Sequence, residues 1–210
     1  MDQKELGAEL HSIRRLMERS AKFISLSGLS GVLAGVYALA GAGVAYGLTY
    51  KTISLFPYED NFPSDNTLVW QLAGIGLTVL VAAIVTAVLL SSRKARIQGQ
   101  QVWNPASKAL LRAIAYPLVA GGLLVFIAIA HGWFALVAPV CLIFYGLALV
   151  AGSRYTYRMV EWLGIMQLAL GLVAAAVPGY GLLFWSLGFG VLHIVYGIIM
   201  HVKYDRRGEA

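Results

Sequence analysis

The chain has 210 residues, of which 59% are hydrophobic and 12% charged, and it carries a formal net charge of +6. Globular domains run at about 45–50% apolar and about 25% charged. The composition therefore excludes a soluble domain, a disordered chain, a disulfide scaffold and a nucleic-acid binder. The apolar residues form long, nearly uncharged blocks, which is what a helix needs to cross about 30 Å of hydrocarbon. The expected fold is all-α, an integral membrane protein with six transmembrane helices and an N-terminal amphipathic cytoplasmic helix.

Residues 1–22 open the chain with that amphipathic helix. Asp2 and Glu5 form a capping pair, and Leu6, Leu10, Ile13 and Met17 line one face. Two readings stand for this stripe. It lies on the anionic inner leaflet of the bilayer, or it is a short coiled-coil seam for a homodimer or a partner.

The transmembrane domain takes residues 23–203, with spans at Phe23–Leu48, Leu68–Ser91, Leu110–Ala130, Phe134–Gly152, Met159–Val177 and Leu182–Val202. The first span is too long, and begins too far into the chain, for the short apolar core of a signal peptide. It is expected to stay as an anchor. The segment Tyr50–Asn66 contains Pro57, Pro63, Glu59, Asp60 and Asp65, and reads as a solvated connector or as a cap over an outward opening. Trp103 is an interface anchor. Asn104-Pro105 reads as an N-cap with proline at the first helical position, and a bend is expected near Pro117. Residues 204–210 form a short cytoplasmic tail.

Charge sets the orientation. Of the 16 Lys and Arg residues, all but Lys51 fall in alternate connections and the two ends. By the positive-inside rule both termini are expected to be cytoplasmic. Cys141 is the single cysteine, so there is neither a disulfide nor a thiolate metal site, and it reads as a small apolar core residue.

The 23 glycines are concentrated in the spans. In the first helix Ser27, Gly31, Gly35, Gly43 and Gly47 are expected to form one small-residue face, because lipid offers no hydrophobic drive for helix association and close backbone approach must replace it. This face packs centrally or at a homo-oligomer interface. Spans 3–4 and 5–6 look like related hairpins, with tight turns at His131-Gly132-Trp133 and Pro178-Gly179-Tyr180-Gly181. Their return helices carry Phe144-Tyr145-Gly146 and Val195-Tyr196-Gly197.

The run Gly164-Ile165-Met166-Gln167-Leu168-Ala169-Leu170-Gly171, followed by Pro178, Gly188 and Tyr196-Gly197, resembles the repeated hairpin of bacterial acid-resistance membrane proteins. Those are small six-span inner-membrane proteins. The start Ser25-Leu26-Ser27-Gly28-Leu29-Ser30-Gly31 and the layout resemble uncharacterised six-span bacterial inner-membrane proteins. The first resemblance is confined to spans 5–6, and the charged amino-terminal helix and long first loop depart from it. It implies an architecture and supplies no catalytic residue.

Ionisable groups inside spans are functional hypotheses by default, since charge there is expensive. Glu161 and His193 qualify, with His131 and His201 nearer the ends and Gln71 and Gln167 as neutral polar members. Ser186, Gly190, His193, Gly197 and His201 are expected on one face of helix 6. Antiparallel pairing of helices 5 and 6 puts Gln167 about 3 Å in depth from His193. His193 is expected to be buried, uncharged and hydrogen-bonded to Gln167 or to a tyrosine of a neighbouring span. Glu161 is expected to pair with Arg158 at i,i+3, or to act as a gating carboxylate.

The histidines lie at unmatched depths, which argues against a bis-histidine haem, and no catalytic motif is present. No catalytic, metal or cofactor-binding residue is assigned. Two function classes remain: a non-enzymatic accessory, regulatory or stress-associated membrane component, or a small-solute or proton-linked ion transporter or channel with His193 in the pathway. Any small-molecule ligand is not identified by the sequence.

Overall fold

The computed structural model describes residues 25–50, 66–99 and 101–205. The amphipathic helix expected over 1–22 with its Leu6/Leu10/Ile13/Met17 stripe, the Pro- and acid-containing connector 51–65 and residues 206–210 lie outside the described residues.

The described chain is helical, with no strand. Helix α1 is Gly28–Tyr50, α2 is Asn66–Ile97 and α3 is Pro105–Ala130. A 3₁₀ turn at Phe134–Leu136 leads into α4, Val137–Ser153, and α5 is Arg158–Ala176. Helix α6 runs through Gly181–Asp205. It is α-helical at Gly181–Trp185 and His193–Met200, and π-helical at Ser186–Leu192 and His201–Asp205. Among the described residues, six helices are long and apolar enough to cross a membrane.

Local chemistry sets the element ends. At α3 the Asn104 side chain accepts from the Ser107 backbone N–H at 2.8 Å, and Ser107 Oγ accepts from the Asn104 N–H at 2.9 Å. This reciprocal capping box, with Pro105 at the first turn, fixes the start of α3. Pro117 lies inside α3, which runs on to Ala130. The α3–α4 and α5–α6 turns place Gly132 and Gly179 at φ 74° and 94°, a region that favours glycine. Several helix ends differ from the sequence reading: α1 starts at Gly28 and not at Phe23, with residues 25–27 outside it, and ends at Tyr50; α2 continues past Ser91 to Ile97; and α6 continues past Val202 to Asp205.

Glycines decide the packing. A Cβ on Gly146 would lie 2.7 Å from the Gly164 carbonyl, and one on Gly164 would lie 2.8 Å from the Gly146 carbonyl, so α4 and α5 meet backbone to backbone. On the other side of the bundle, α1 and α6 do the same. Gly35 faces the Gly190 carbonyl at 2.6 Å from the position of a Cβ, Gly31 faces the Gly197 Cα at 3.2 Å, and Gly28 and Gly197 are mutually pressed together. Helix α6 thus joins α1 to α4 and α5. Helix α2 packs on α1, where Gly41 seats Val79. Helix α3 packs on α4, where Gly121 seats the Phe144 ring.

Two expected faces are corrected. Gly43 and Gly47 are exposed, with nothing within 4 Å of an added Cβ, whereas Ala38, Ala42 and Ala45 are buried. The reason is angular: an eight-residue step at about 100° per residue turns Gly43 about 80° away from Gly35. On α6, Gly190 and Gly197 face α1, while Gly188 and His193 face α4 and α5. The π-helical stretch at Ser186–Leu192 separates His193 from Gly190 and Gly197, which a regular helix would keep within about 60° of one another.

These contacts predict contrasting effects of alanine. Gly146→Ala places a methyl group against a backbone carbonyl and is expected to destabilise the bundle by about 1–3 kcal/mol. Gly43→Ala meets open space and is expected to be neutral, or to stabilise by up to about 1 kcal/mol through helix propensity. Thermal unfolding of the purified variants in one detergent checks both.

Candidate functional site

Three helices bring polar groups together inside the bundle. Helix α4 supplies Tyr145, next to the packing glycine Gly146; α5 supplies Gln167; α6 supplies His193 and the carbonyl of Gly188. Gln167 is 0% exposed and His193 is 6% exposed.

The hydrogen-bond geometry defines the imidazole tautomer. Nδ1 of His193 lies 2.9 Å from the Gly188 carbonyl oxygen. A carbonyl only accepts, so Nδ1 carries the proton and Nε2 presents its lone pair. The Tyr145 hydroxyl, 2.8 Å from Nε2, donates to it. The Gln167 amide Nε2 donates to the same Gly188 carbonyl at 2.8 Å. Gln167 Nε2 and His193 Nδ1 are 3.4 Å apart, but both are donors aimed at one acceptor, so this is a contact and not a hydrogen bond. Of the two partners expected for His193, Tyr145 supplies the hydrogen bond and Gln167 supplies packing. Phe189 flanks the pair, with its ring centroid 5.2 Å from Tyr145 and 6.0 Å from His193.

Two polar atoms at this level are buried without a hydrogen-bond partner among the described residues: Gln167 Oε1 and the Tyr196 hydroxyl. The Gln167 amide cannot turn over to relieve its oxygen, because that would set Oε1 against the Gly188 carbonyl.

A second polar cluster closes the end of the bundle where the basic residues gather. Asp205 Oδ1 is 2.6 Å from the Lys94 ammonium of α2. Its Oδ2 accepts from the backbone N–H of Gly28, at the start of α1, at 3.0 Å, and lies 3.0 Å from His201 Nδ1. Lys94 also donates to the Leu26 carbonyl at 2.9 Å. One carboxylate therefore ties α1, α2 and α6, and it sits at the α1 N-terminus where the helix dipole favours negative charge. In the adjoining α4–α5 turn, the Tyr157 ring packs at a tilt against Tyr204, with centroids 4.3 Å apart. Burial, then the nearby Asp205 and Tyr204, push the Tyr157 hydroxyl up to about 12.

The other candidates are elsewhere. Glu161 stands in the first turn of α5, partly exposed, six residues and so about 9 Å along the axis from Gln167. The expected Arg158–Glu161 pair does not form among the described residues: the ion pair there is Lys94–Asp205, with His201 Nδ1 hydrogen-bonded to the same carboxylate. The carboxylate instead meets the positive end of the α5 dipole. Gln71 is exposed near the start of α2 and does not join the site. His131 is exposed at the end of α3, with Nδ1 bonded to the Ile127 carbonyl at 3.0 Å. Cys141 is partly exposed on α4.

Tyr145, Gly188, Lys94 and Asp205 escaped the sequence reading. A signal existed for two of them. Tyr145 precedes a packing glycine, as Tyr196 does, and Asp205 lies one helical turn beyond His201.

Among the described residues, no group of three or more His, Cys, Asp or Glu is placed to hold a metal ion. Two shallow surface clefts, one on α2 around Leu77 and Val81 and one on α3 around Arg112, have linings that do not include His193. The chain matches no protein-family model, no curated protein and no solved structure. Chemically, the interior site is a network of directed hydrogen bonds that ties α5 to α6 through the Gly188 carbonyl and α4 to α6 through His193 Nε2.

Its energetics follow. Tyr145→Phe strands the His193 lone pair, and His193→Leu strands Tyr145. Each is expected to destabilise the protein by about 1–3 kcal/mol. His193→Gln, which keeps a donor and an acceptor, is expected to lose less than either. Thermal unfolding of the three variants in parallel orders them.

Proposed function

We propose that this chain is a multi-pass protein of the bacterial inner membrane, with both termini cytoplasmic, acting as a non-enzymatic accessory, regulatory or stress-associated component. The observation that carries the class is the closed interior. The helices meet through glycine backbones, and His193, the ionisable group at mid-span, has both ring nitrogens committed to Tyr145 and Gly188. Coupled transporters place binding groups or broken helices where substrate and ions reach them at mid-membrane. Here Tyr145, His193 and the Gln167 amide nitrogen are engaged with one another or with the Gly188 carbonyl, Gln167 Oε1 and the Tyr196 hydroxyl are enclosed without a partner among the described residues, and the surface clefts are lined by other residues. The orientation rests on charge: Lys94, Arg96, Lys108, Arg112, Arg154, Arg158 and Lys203 all belong to one end of the bundle, the side that the anionic inner leaflet and the positive-inside rule favour.

The alternative is a proton-linked transporter or channel through His193. Proteoliposomes loaded with a pH-sensitive dye separate the two readings. The expected result is a proton flux equal to that of empty liposomes, unchanged by His193→Gln. A pH-driven flux that His193→Gln abolishes, with the fold intact, establishes transport instead. Asp60→Cys is expected to react with an impermeant thiol reagent from outside the cell only; labelling from the cytoplasm only reverses the orientation.

A further inference from the structure

The cleft on α3 has a composition that the packing does not explain. It is a groove of about 320 Å³ lined by Ala109, Arg112, Ala113 and Tyr116 of α3, with Tyr155 from the α4–α5 turn on its other wall. Two alanines make the floor shallow and leave the cation standing in the groove. Arg112 is exposed and has no carboxylate partner among the described residues. The stretch from 92 to 112 contains no Asp or Glu. One turn nearer the helix start, Lys108 lies 5.6 Å over the Trp103 ring, so a second cation is held at the same edge.

Depth places this groove. Arg112 and Ala130, the last residue of α3, are 18 residues apart. At a rise of 1.5 Å per residue this is about 27 Å, close to the thickness of the hydrocarbon core. With the far end of α3 at one boundary of the core, the guanidinium stands at the other, at headgroup level. Beyond it, Tyr116, Val119, Leu123 and Phe126 are exposed at spacings of four and three, forming a straight apolar ridge from the cation toward the opposite end.

We propose that the groove between α3 and the α4–α5 turn binds one anionic phospholipid, its phosphate on the Arg112 guanidinium and an acyl chain along the Tyr116–Phe126 ridge. Guanidinium and phosphate match as a two-pronged, charge-assisted pair. Lys108 adds long-range attraction for net negative charge, and the tyrosine-lined walls suit the interface between headgroup and chain. A zwitterionic lipid brings its own cation and gains less. This inference rests on the membrane-spanning placement proposed above, and it narrows the bilayer from a medium to a specific partner.

The test uses the full-length protein in mild detergent, titrated with phosphatidylglycerol or phosphatidylcholine, with bound lipids counted by native mass spectrometry. The expected result is one phosphatidylglycerol retained in preference to phosphatidylcholine. Arg112→Gln is expected to raise its dissociation constant about fivefold, the effect of about one interfacial cation. Arg112→Lys, which keeps the charge without the fork, is expected to fall between. Arg96→Gln, an exposed cation on α2 outside the groove, is expected to leave binding unchanged. Equal losses for Arg96→Gln and Arg112→Gln, or equal retention of the two lipids, would overturn the site. Displacement by millimolar inorganic phosphate would also overturn it, by making the ligand a free anion. The orientation is judged separately by labelling at residue 60, so an inverted chain with Arg112-dependent retention fails the topology and not the site.

Discussion

The close approach of α6 to α1 is the constraint on which the rest depends. Lipid chains are as apolar as leucine, so helices in a bilayer gain little by hiding side chains from one another. They gain by contact, and contact is densest where no Cβ intervenes. Gly28, Gly31 and Gly35 on α1 meet Gly190 and Gly197 on α6 across distances that a methyl group would violate. The same device at Gly146 and Gly164 locks α4 to α5. Once these two seams are set, α6 has only one direction left for its remaining face, toward α4 and α5. Helices α2 and α3 are then added outside, and in α2 no part of the most apolar stretch is buried.

Polar clusters fasten what the glycine seams bring together. At the basic end Asp205 satisfies the helix-start N–H of Gly28 and a lysine from α2 with one carboxylate, holding three helices at a point where the glycine contact ends. In the interior, Gly188 offers a carbonyl to two side-chain donors from different helices. A hydrogen bond contributes only about 1 kcal/mol net, yet leaving a buried donor unmade costs more. Both clusters therefore act chiefly on specificity, since sliding α6 along its neighbours would strand several groups at once. The unpartnered Gln167 Oε1 and Tyr196 hydroxyl show that this satisfaction is incomplete.

Much of this was legible before the structure. Block hydrophobicity placed all six long apolar helices of the described residues, because a run of apolar residues that long is the pattern a helix needs to cross hydrocarbon. The Asn104-Pro105 start, the glycine turns, and the nearness of Gln167 to His193 follow from local spacing and hairpin geometry. Other features were beyond that arithmetic. Gly43 and Gly47 were assigned to a face that an eight-residue step does not preserve. Asp205 looked like part of a tail, since nothing local says that α6 continues through it. Tyr145 was visible only as a repeated Tyr-Gly pair, because its partner comes from a helix 48 residues away. Pairwise chemistry between distant helices is invisible to periodicity.

The π-helical stretch in α6 explains why the interior site takes the form it does. In a regular helix, residues five apart point about 140° away from one another, so the His193 ring would be turned away from the carbonyl of Gly188. A π-turn, with bonds running from i to i+5, stacks such a pair along the axis. That realignment lets His193 Nδ1 reach the Gly188 oxygen at 2.9 Å within the same helix, while Nε2 still points across to Tyr145. It also lets Gly190 and Gly197 turn toward α1 while Gly188 and His193 turn toward α5, which a single helical stripe does not permit. Gln167 donates to the same carbonyl from outside the helix. The extra residue, the histidine and the glutamine thus form one solution to one problem: a central helix that must present two different faces to two neighbours.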